Sequence, residues 1–193
     1  MPRIDNEKFY LAALKKHGIT SRGLNWSSDA HQYIRFEKIL ELMQDDLKDI
    51  SIGDAGCGFG DFYIYLQDSD IHINKYTGID SLNTICEIAT KKTECEIIHA
   101  DIIKEALPVA DYYVCSGALN ILTPFETELF IRNCFESSNK GFIFNALYGD
   151  KESDIYNYIN MKTIHSLASS LHVKHIRFTE GYLEHDITVG FFK

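Results

Sequence analysis

With 193 residues, 45% of them hydrophobic, the chain is long enough for one packed domain, and its net charge is −9. That charge disfavours DNA or RNA as a partner, because phosphate binding relies on Lys and Arg. No stretch approaches the roughly 20 apolar residues of a membrane span. The five cysteines are scattered, without a paired motif, which favours a reducing compartment. We therefore expect a cytoplasmic protein without a membrane segment.

The first part of the chain is predicted to be helical. A short helix is expected from Asp5 to His17, followed by a loop that carries the only tryptophan, Trp26. A longer helix is expected from Asp29, with Gln32 as its capping partner. Apolar residues recur in it every three or four positions, which predicts a stripe that faces a sheet. These residues are Tyr33, Phe36, Leu40, Met43 and Leu47.

Strands and helices are then predicted to alternate. The predicted strands are 50–54, 76–79, 95–99, 111–115, 141–147, 173–178 and 186–192, and the predicted helices are 60–67, 82–91, 123–137 and 153–170. Only seven residues separate the last two strands. A parallel pair needs about a dozen connecting residues, so these two strands must be antiparallel. The pattern predicts an α/β protein with a doubly wound sheet.

A glycine-rich turn follows the first predicted strand. The segment reads Asp54-Ala55-Gly56-Cys57-Gly58-Phe59-Gly60, and its glycines allow a tight bend with close approach of a ligand to the backbone. Two acids then follow at the ends of the next two predicted strands. Asp80 lies 24 residues after Gly56, where a carboxylate can accept hydrogen bonds from both hydroxyls of a ribose. Asp101 lies one unit further on, where an acid can accept from an adenine amino group.

This pattern resembles the Rossmann-like, class I methyltransferases that use S-adenosylmethionine (SAM), in particular their small bacterial members. The resemblance runs from about Ile50 to the C-terminus. It implies a seven-stranded sheet in the order 3-2-1-4-5-7-6 with an antiparallel last strand. It also implies a core over residues 49–193, a helical lid over residues 1–48 of the same domain, SAM as the cofactor and methyl transfer as the activity. The GxGxG turn and the final hairpin disfavour an NAD-dependent dehydrogenase.

The resemblance further implies which residues form the site. Ser116 and Gly117 end the fourth strand beside the switch point of the sheet, where ligands of open α/β sheets bind. Arg35 could grip the cofactor's carboxylate with two parallel hydrogen bonds, or it could be an ordinary solvated arginine of an amphipathic helix. The expected cofactor-binding residues are Arg35, Asp54, Ala55, Gly56, Cys57, Gly58, Gly60, Phe62, Asp80, Ser81, Leu82, Asp101, Ile102, Ser116 and Gly117.

Four residues are expected to contact the acceptor: Trp26, Asn120, Tyr148 and His185. Tyr156 and Tyr158 could add an aromatic wall, or they could pack under the lid. We assign no catalytic residue, because the sulfonium of the cofactor carries the difficult chemistry. We also expect no metal, because the eight histidines show no convincing ligand spacing.

The expected acceptor is a small molecule, because about 48 residues of lid leave no target-recognition domain. Two alternatives remain open. The first is a methyltransferase that acts on a protein or an RNA. The second is a SAM-binding partner protein without transfer activity.

Overall fold

The computed structural model describes residues 4–26, 28–43 and 47–193. The strands are β1 Ser51–Ala55, β2 Lys75–Asp80, β3 Glu96–His99, β4 Ala110–Ser116, β5 Ser138–Tyr148, β6 Tyr158–Ile159, β7 His175–Glu180 and β8 Asp186–Phe192. The α-helices are α1 Asn6–His17, α2 Asp29–Leu42, α3 Asp61–Asp68, α4 Asn83–Thr93, α5 Pro124–Glu136 and α6 Met161–Ser170. Short 3-10 helices lie at Ser21–Leu24, Leu47–Asp49 and Ala118–Ile121.

All strands belong to one sheet, in the order β3-β2-β1-β4-β5-β8-β7, with β6 paired to the end of β5. Every pairing is parallel except those of β8, which runs antiparallel to both of its neighbours. Without the two-residue β6, this is the predicted order 3-2-1-4-5-7-6 with an antiparallel last strand. The predicted fold class is therefore confirmed.

The sheet is covered on both faces, which explains the nearly continuous apolar sequences of its central strands. On one face, Phe142, Phe144 and Phe191 pack with the buried residues of α5 and α6. On the other face, Ile52 and Ile143 pack with the buried residues of α2 and α3. The sheet is thus the middle layer between helices that pack on its two faces.

Helix α2 buries a different face from the predicted one. Its N-cap is Ser28, whose hydroxyl accepts from the His31 N–H, whereas Gln32 donates to Asp61 of α3 at 3.0 Å. The predicted cap by Gln32 is therefore wrong. The buried residues of the helix are Gln32, Arg35, Phe36, Ile39 and Leu42. Of the predicted stripe, Phe36 and Met43 are buried, Leu40 is half-buried, Tyr33 is exposed and Leu47 lies beyond the helix. Apolar periodicity missed this face because two of its residues are polar and pair with acids of other elements, Gln32 with Asp61 and Arg35 with Asp186.

The predicted helix 153–170 is also too long. It begins at Met161, because the side chain of Asn160 caps it by accepting from the Thr163 N–H. Before it, the chain pairs with β5 as β6, and the Asn157 N–H donates to the Asn120 carbonyl at 2.7 Å. This contact ties the segment that carries Tyr156 to the loop after β4.

Candidate functional site

A cavity of about 150 Å³ opens at the carboxyl edge of the sheet, where ligands of such folds bind. One wall comes from the ends of β2 and β4, the glycine turn and the loop after β3. The other comes from α1 and the loop after it. The lining residues from the loops and strand ends include Gly56, Gly58, Asp80, Ser81, Leu82, Asp101, Ile102, Ser116, Gly117 and Asn120. Those from the N-terminal segment, residues 4–43, are Asn6, Phe9, Tyr10, Leu24, Asn25 and Trp26.

The glycine turn is bent and closely packed. Gly56, Gly58 and Gly60 all have positive φ, at 75°, 56° and 77°. The N–H of Gly56 donates to the Ile79 carbonyl at 2.8 Å, which ties the turn to β2. A Cβ on Gly56 would stand 2.5 Å from the Cβ of Ala118. Both the backbone angle and the space at position 56 therefore require glycine.

Asp80 is held at the end of β2 by the backbone around it. Its Oδ2 accepts from the Gly58 N–H at 3.1 Å, and its Oδ1 accepts from the Leu82 N–H at 3.0 Å. Burial raises the pKa of Asp80 to about 6. Each carboxylate oxygen keeps a second lone pair, so the group that lines the cavity can still accept from two hydroxyls.

Asp54 belongs to β1, directly before the turn, and does not line the cavity. It is buried, and its Oδ2 accepts from the Tyr76 hydroxyl at 2.6 Å. Burial raises the pKa of Asp54 to about 7, against the lowering effect of the Tyr76 hydrogen bond, and the carboxylates of Asp80 and Asp61 add to the rise. Five other residues expected at the cofactor lie outside the lining as well, namely Arg35, Ala55, Cys57, Gly60 and Phe62.

Asp101 follows β3, which is separated by β2 and β1 from β4, the strand that ends at Ser116. Its Oδ1 accepts from the Ile103 N–H at 3.0 Å, and its Oδ2 lies 2.5 Å from Nζ of Lys104. The lining also contains the apolar side chains of Ile102, Ile103, Leu122 and Phe130, which belong to one packed cluster. A carboxylate and apolar side chains in one cavity are suited to an aromatic base with an amino group.

The N-terminal segment forms one wall of the cavity. The indole of Trp26 lies against Gly117, where an added Cβ would stand 2.8 Å from the indole Cη2. The guanidinium of Arg35 lies 4.8 Å from the centre of the Trp26 rings, within range of a cation–π interaction. Burial raises the pKa of Tyr10, and the nearby carboxylate of Asp80 adds to the rise, so this phenol stays protonated.

Arg35 does not line the cavity. Its Nη2 lies 2.5 Å from Oδ2 of Asp186, and both side chains are buried. The contact is close, although its geometry gives that carboxylate oxygen no directed hydrogen bond. The partner of Arg35 in this structure is therefore an acid of β8, whereas the sequence predicted a cofactor carboxylate.

Only two of the four residues expected at the acceptor line the cavity. Trp26 and Asn120 line the cavity, and so does Tyr156, but Tyr148 and His185 do not. The His185 ring instead packs edge-on against Tyr158, with 6.0 Å between the ring centres. Its carbonyl accepts from the Tyr148 N–H at 2.8 Å.

About half of the residues that line the cavity were not predicted from the sequence. The missed residues are Asn6, Phe9, Tyr10, Leu24, Asn25, Ile85, Ile103, Ala118, Ile121, Leu122 and Phe130. One signal existed for α1, because Asn6, Phe9 and Tyr10 are spaced i, i+3 and i+4 and so share one helix face. Nothing in the sequence indicated which element that face would contact.

No family model and no curated protein matches the sequence. Solved structures do match. Magnesium protoporphyrin IX methyltransferase from Synechocystis, crystallised with bound S-adenosylhomocysteine (SAH), gives a TM-score of 0.68 at 14% identity, over 84% of this chain and 83% of that one. A SAM-dependent methyltransferase from Leishmania major gives 0.70 at 17% identity, over 98% and 85%. Human N-acetylserotonin methyltransferase, crystallised with SAM, gives 0.71 at 14% identity, over 98% of this chain and 60% of that one.

Structural similarity at sequence identities this low shows the fold alone. The chain has the fold of the SAM-dependent methyltransferases, as the resemblance implied, and the cavity lies at the carboxyl ends of its strands. Among the residues that the structure describes, none of the helices is long and apolar enough to span a membrane.

Proposed function

We propose that the protein is a SAM-dependent methyltransferase that acts on a small molecule. The observation that carries the proposal is the position of Asp80. Two backbone N–H groups hold its carboxylate beside the glycine turn, and its free lone pairs face a cavity. Solved proteins of the same fold contain SAM or SAH.

The lining suits the parts of SAM. Asp80 would hold the ribose hydroxyls, and Asp101 with Ile102 would hold the adenine. Ser116 and Gly117 would lie beside the methionine end, where the Ser116 Oγ is buried without a hydrogen-bond partner in the described protein. The glycine turn contributes backbone without side chains. Nine of the fifteen residues expected at the cofactor line the cavity: Gly56, Gly58, Asp80, Ser81, Leu82, Asp101, Ile102, Ser116 and Gly117.

The bound cofactor would supply an activated methyl group on a sulfonium. The chain itself has to orient the acceptor and exclude water. Trp26, Tyr10 and Phe9 come from outside the predicted core, and they line the cavity. We therefore interpret residues 1–48 as a lid on a core of residues 49–193.

A small acceptor fits this site better than a macromolecule, because the cavity holds only about 150 Å³ and the N-terminal segment forms one of its walls. The net charge of −9 also opposes an RNA partner.

All five cysteines are free thiols, which supports a reducing compartment such as the cytoplasm.

Calorimetric titration with SAM, SAH, NAD and NADP tests the proposal. We expect binding of SAM and SAH only, because the GxGxG turn disfavours NAD and the carboxylate of Asp80 would repel the 2′-phosphate of NADP. Tight NAD binding without SAH binding would contradict the assignment.

Asp80→Ala should abolish most of this binding. Each hydrogen bond to a charged group is worth roughly 1.5–3 kcal/mol, so losing two should weaken SAH binding by about a hundredfold or more. Asp68→Ala, at an exposed position of α3, is the matched control and should bind normally. Wild-type affinity in a folded Asp80→Ala protein would refute the role of this residue.

A further inference from the structure

Trp26 is the largest side chain that the N-terminal segment contributes to the cavity, and it is only half-buried. Its backbone is held by a tight turn. The preceding residue, Asn25, ends the 3-10 helix with a φ of 61°, and the Trp26 N–H donates to the Ser21 carbonyl at 3.0 Å. A fixed backbone still leaves the side-chain torsions free, so the direction of the indole depends on what the ring contacts.

Two contacts determine where the indole lies. The edge of its six-membered ring meets Gly117, where an added Cβ would stand 2.8 Å from Cη2 and 2.9 Å from Cζ2. The guanidinium carbon of Arg35 lies 4.8 Å from the centre of the ring system, within the roughly 6 Å over which a cation attracts an aromatic ring. Because Trp26 lines the cavity and Arg35 does not, the indole separates the guanidinium from the cavity.

Arg35 is itself held in place. It belongs to the buried face of α2, and its Nη2 lies 2.5 Å from Oδ2 of Asp186 on β8. The two side chains are 11% and 2% exposed, so water screens their attraction little. A continuous series of contacts therefore runs from the sheet through α2 to the wall of the cavity, from Asp186 through Arg35 to Trp26.

We propose that Arg35 is a positioning residue: paired with Asp186, it fixes the Trp26 indole against Gly117 as a preformed wall of the cavity. Resting on the proposed function, this wall stands at the end of the cavity where the methyl group is transferred. A ring that is already ordered has no ordering cost when a ligand binds against it. Arg35 thus raises the affinity for the ligand without touching it, whereas the sequence predicted a direct contact with the cofactor's carboxylate.

The first part of the experiment is made without ligand. Trp26 is the only tryptophan, so acrylamide quenching and fluorescence anisotropy report on this ring alone. Arg35→Lys keeps a cation for Asp186 but lacks the planar guanidinium that stacks on an aromatic ring. The double variant Arg35→Met with Asp186→Leu removes both charges. We expect stronger quenching and lower anisotropy than in the wild type for both proteins, while Arg35→Lys keeps most of the wild-type stability in urea.

The second part is calorimetric titration with SAH. Arg35→Lys should weaken SAH binding by about two- to tenfold, which is the cost of ordering one side chain. In a Trp26→Ala background the same substitution should change nothing, because Arg35 acts on the ligand only through the indole. Arg177→Met is the matched control. Its guanidinium carbon also lies 4.8 Å from a ring centre, that of Phe192, and neither residue lines the cavity, so both readouts should stay at their wild-type values.

Unchanged quenching and anisotropy in Arg35→Lys would overturn the proposal, and this variant decides the matter if the double variant fails to fold. Wild-type SAH affinity in a protein whose ring has become mobile would overturn it as well. So would a loss of SAH affinity that is equally large in the Trp26→Ala background, because Arg35 would then contact the ligand directly. Titration of the wild type with SAH decides the proposed function, and quenching without ligand decides the position of the ring, so a failure of either is seen separately.

Discussion

Asp54→Asn should change how the stability of the protein depends on pH. The Asp54 carboxyl is 3% exposed, and burial raises its pKa from 3.8 to about 7. The folded state therefore holds this proton more tightly than the unfolded state does. The stability that this bound proton contributes is fully present below about pH 4 and is lost as the pH rises through 7. Asn cannot ionise, but its amide oxygen can still accept from the Tyr76 hydroxyl, so the variant lacks this loss.

The magnitude follows from the size of the pKa shift. One unit corresponds to about 1.4 kcal/mol, so between pH 5 and pH 8 the wild type should lose about 3 kcal/mol that the variant keeps. Urea denaturation of both proteins at pH 5, 6, 7 and 8 measures this difference. Other titrating groups, Asp80 among them, are present in both proteins and largely cancel.

Asp68→Asn, at an exposed position, serves as the control and should run parallel to the wild type at every pH. A constant difference between Asp54→Asn and the wild type from pH 5 to pH 8 would show that Asp54 titrates as an ordinary exposed acid. The burial argument for this residue would then be wrong.

Three further predictions concern packing and the N-terminal segment. Arg35→Met should destabilise the fold by about 3–5 kcal/mol, because it leaves Asp186 buried without its cation. Adding Asp186→Leu should recover much of this loss, as measured by urea denaturation, whereas additive losses from the two substitutions would contradict the pairing. Gly56→Ala should cost more stability than Gly181→Ala, because both glycines have positive φ (75° and 80°) but only the Cβ at position 56 also meets Ala118. Equal costs of roughly 1–2 kcal/mol would show that backbone strain is the whole effect. SAH should change the fluorescence of Trp26, the only tryptophan, whereas constant emission through saturation would make the segment a fixed brace.

Features that depend on neighbouring residues could be predicted from the sequence. The glycine turn and Asp80 follow from backbone geometry at the end of a strand, and the start of α5 follows from its capping box at Thr123 and Glu126. The antiparallel last strand follows from a loop too short for a crossover. Each of these signals lies within about 25 residues, so local spacing was sufficient.

Features that depend on distant partners were decided only by the tertiary structure. Arg35 faces Asp186 across 151 residues, and this contact makes a polar residue part of the buried face of α2. The face of α1 that lines the cavity could not be assigned before the sheet edge was known. The position of Ser116 beside Asn145 follows only from the register of β4 and β5. Hydrophobic periodicity records which side chains avoid water, but it contains no information about which buried polar groups have found a partner.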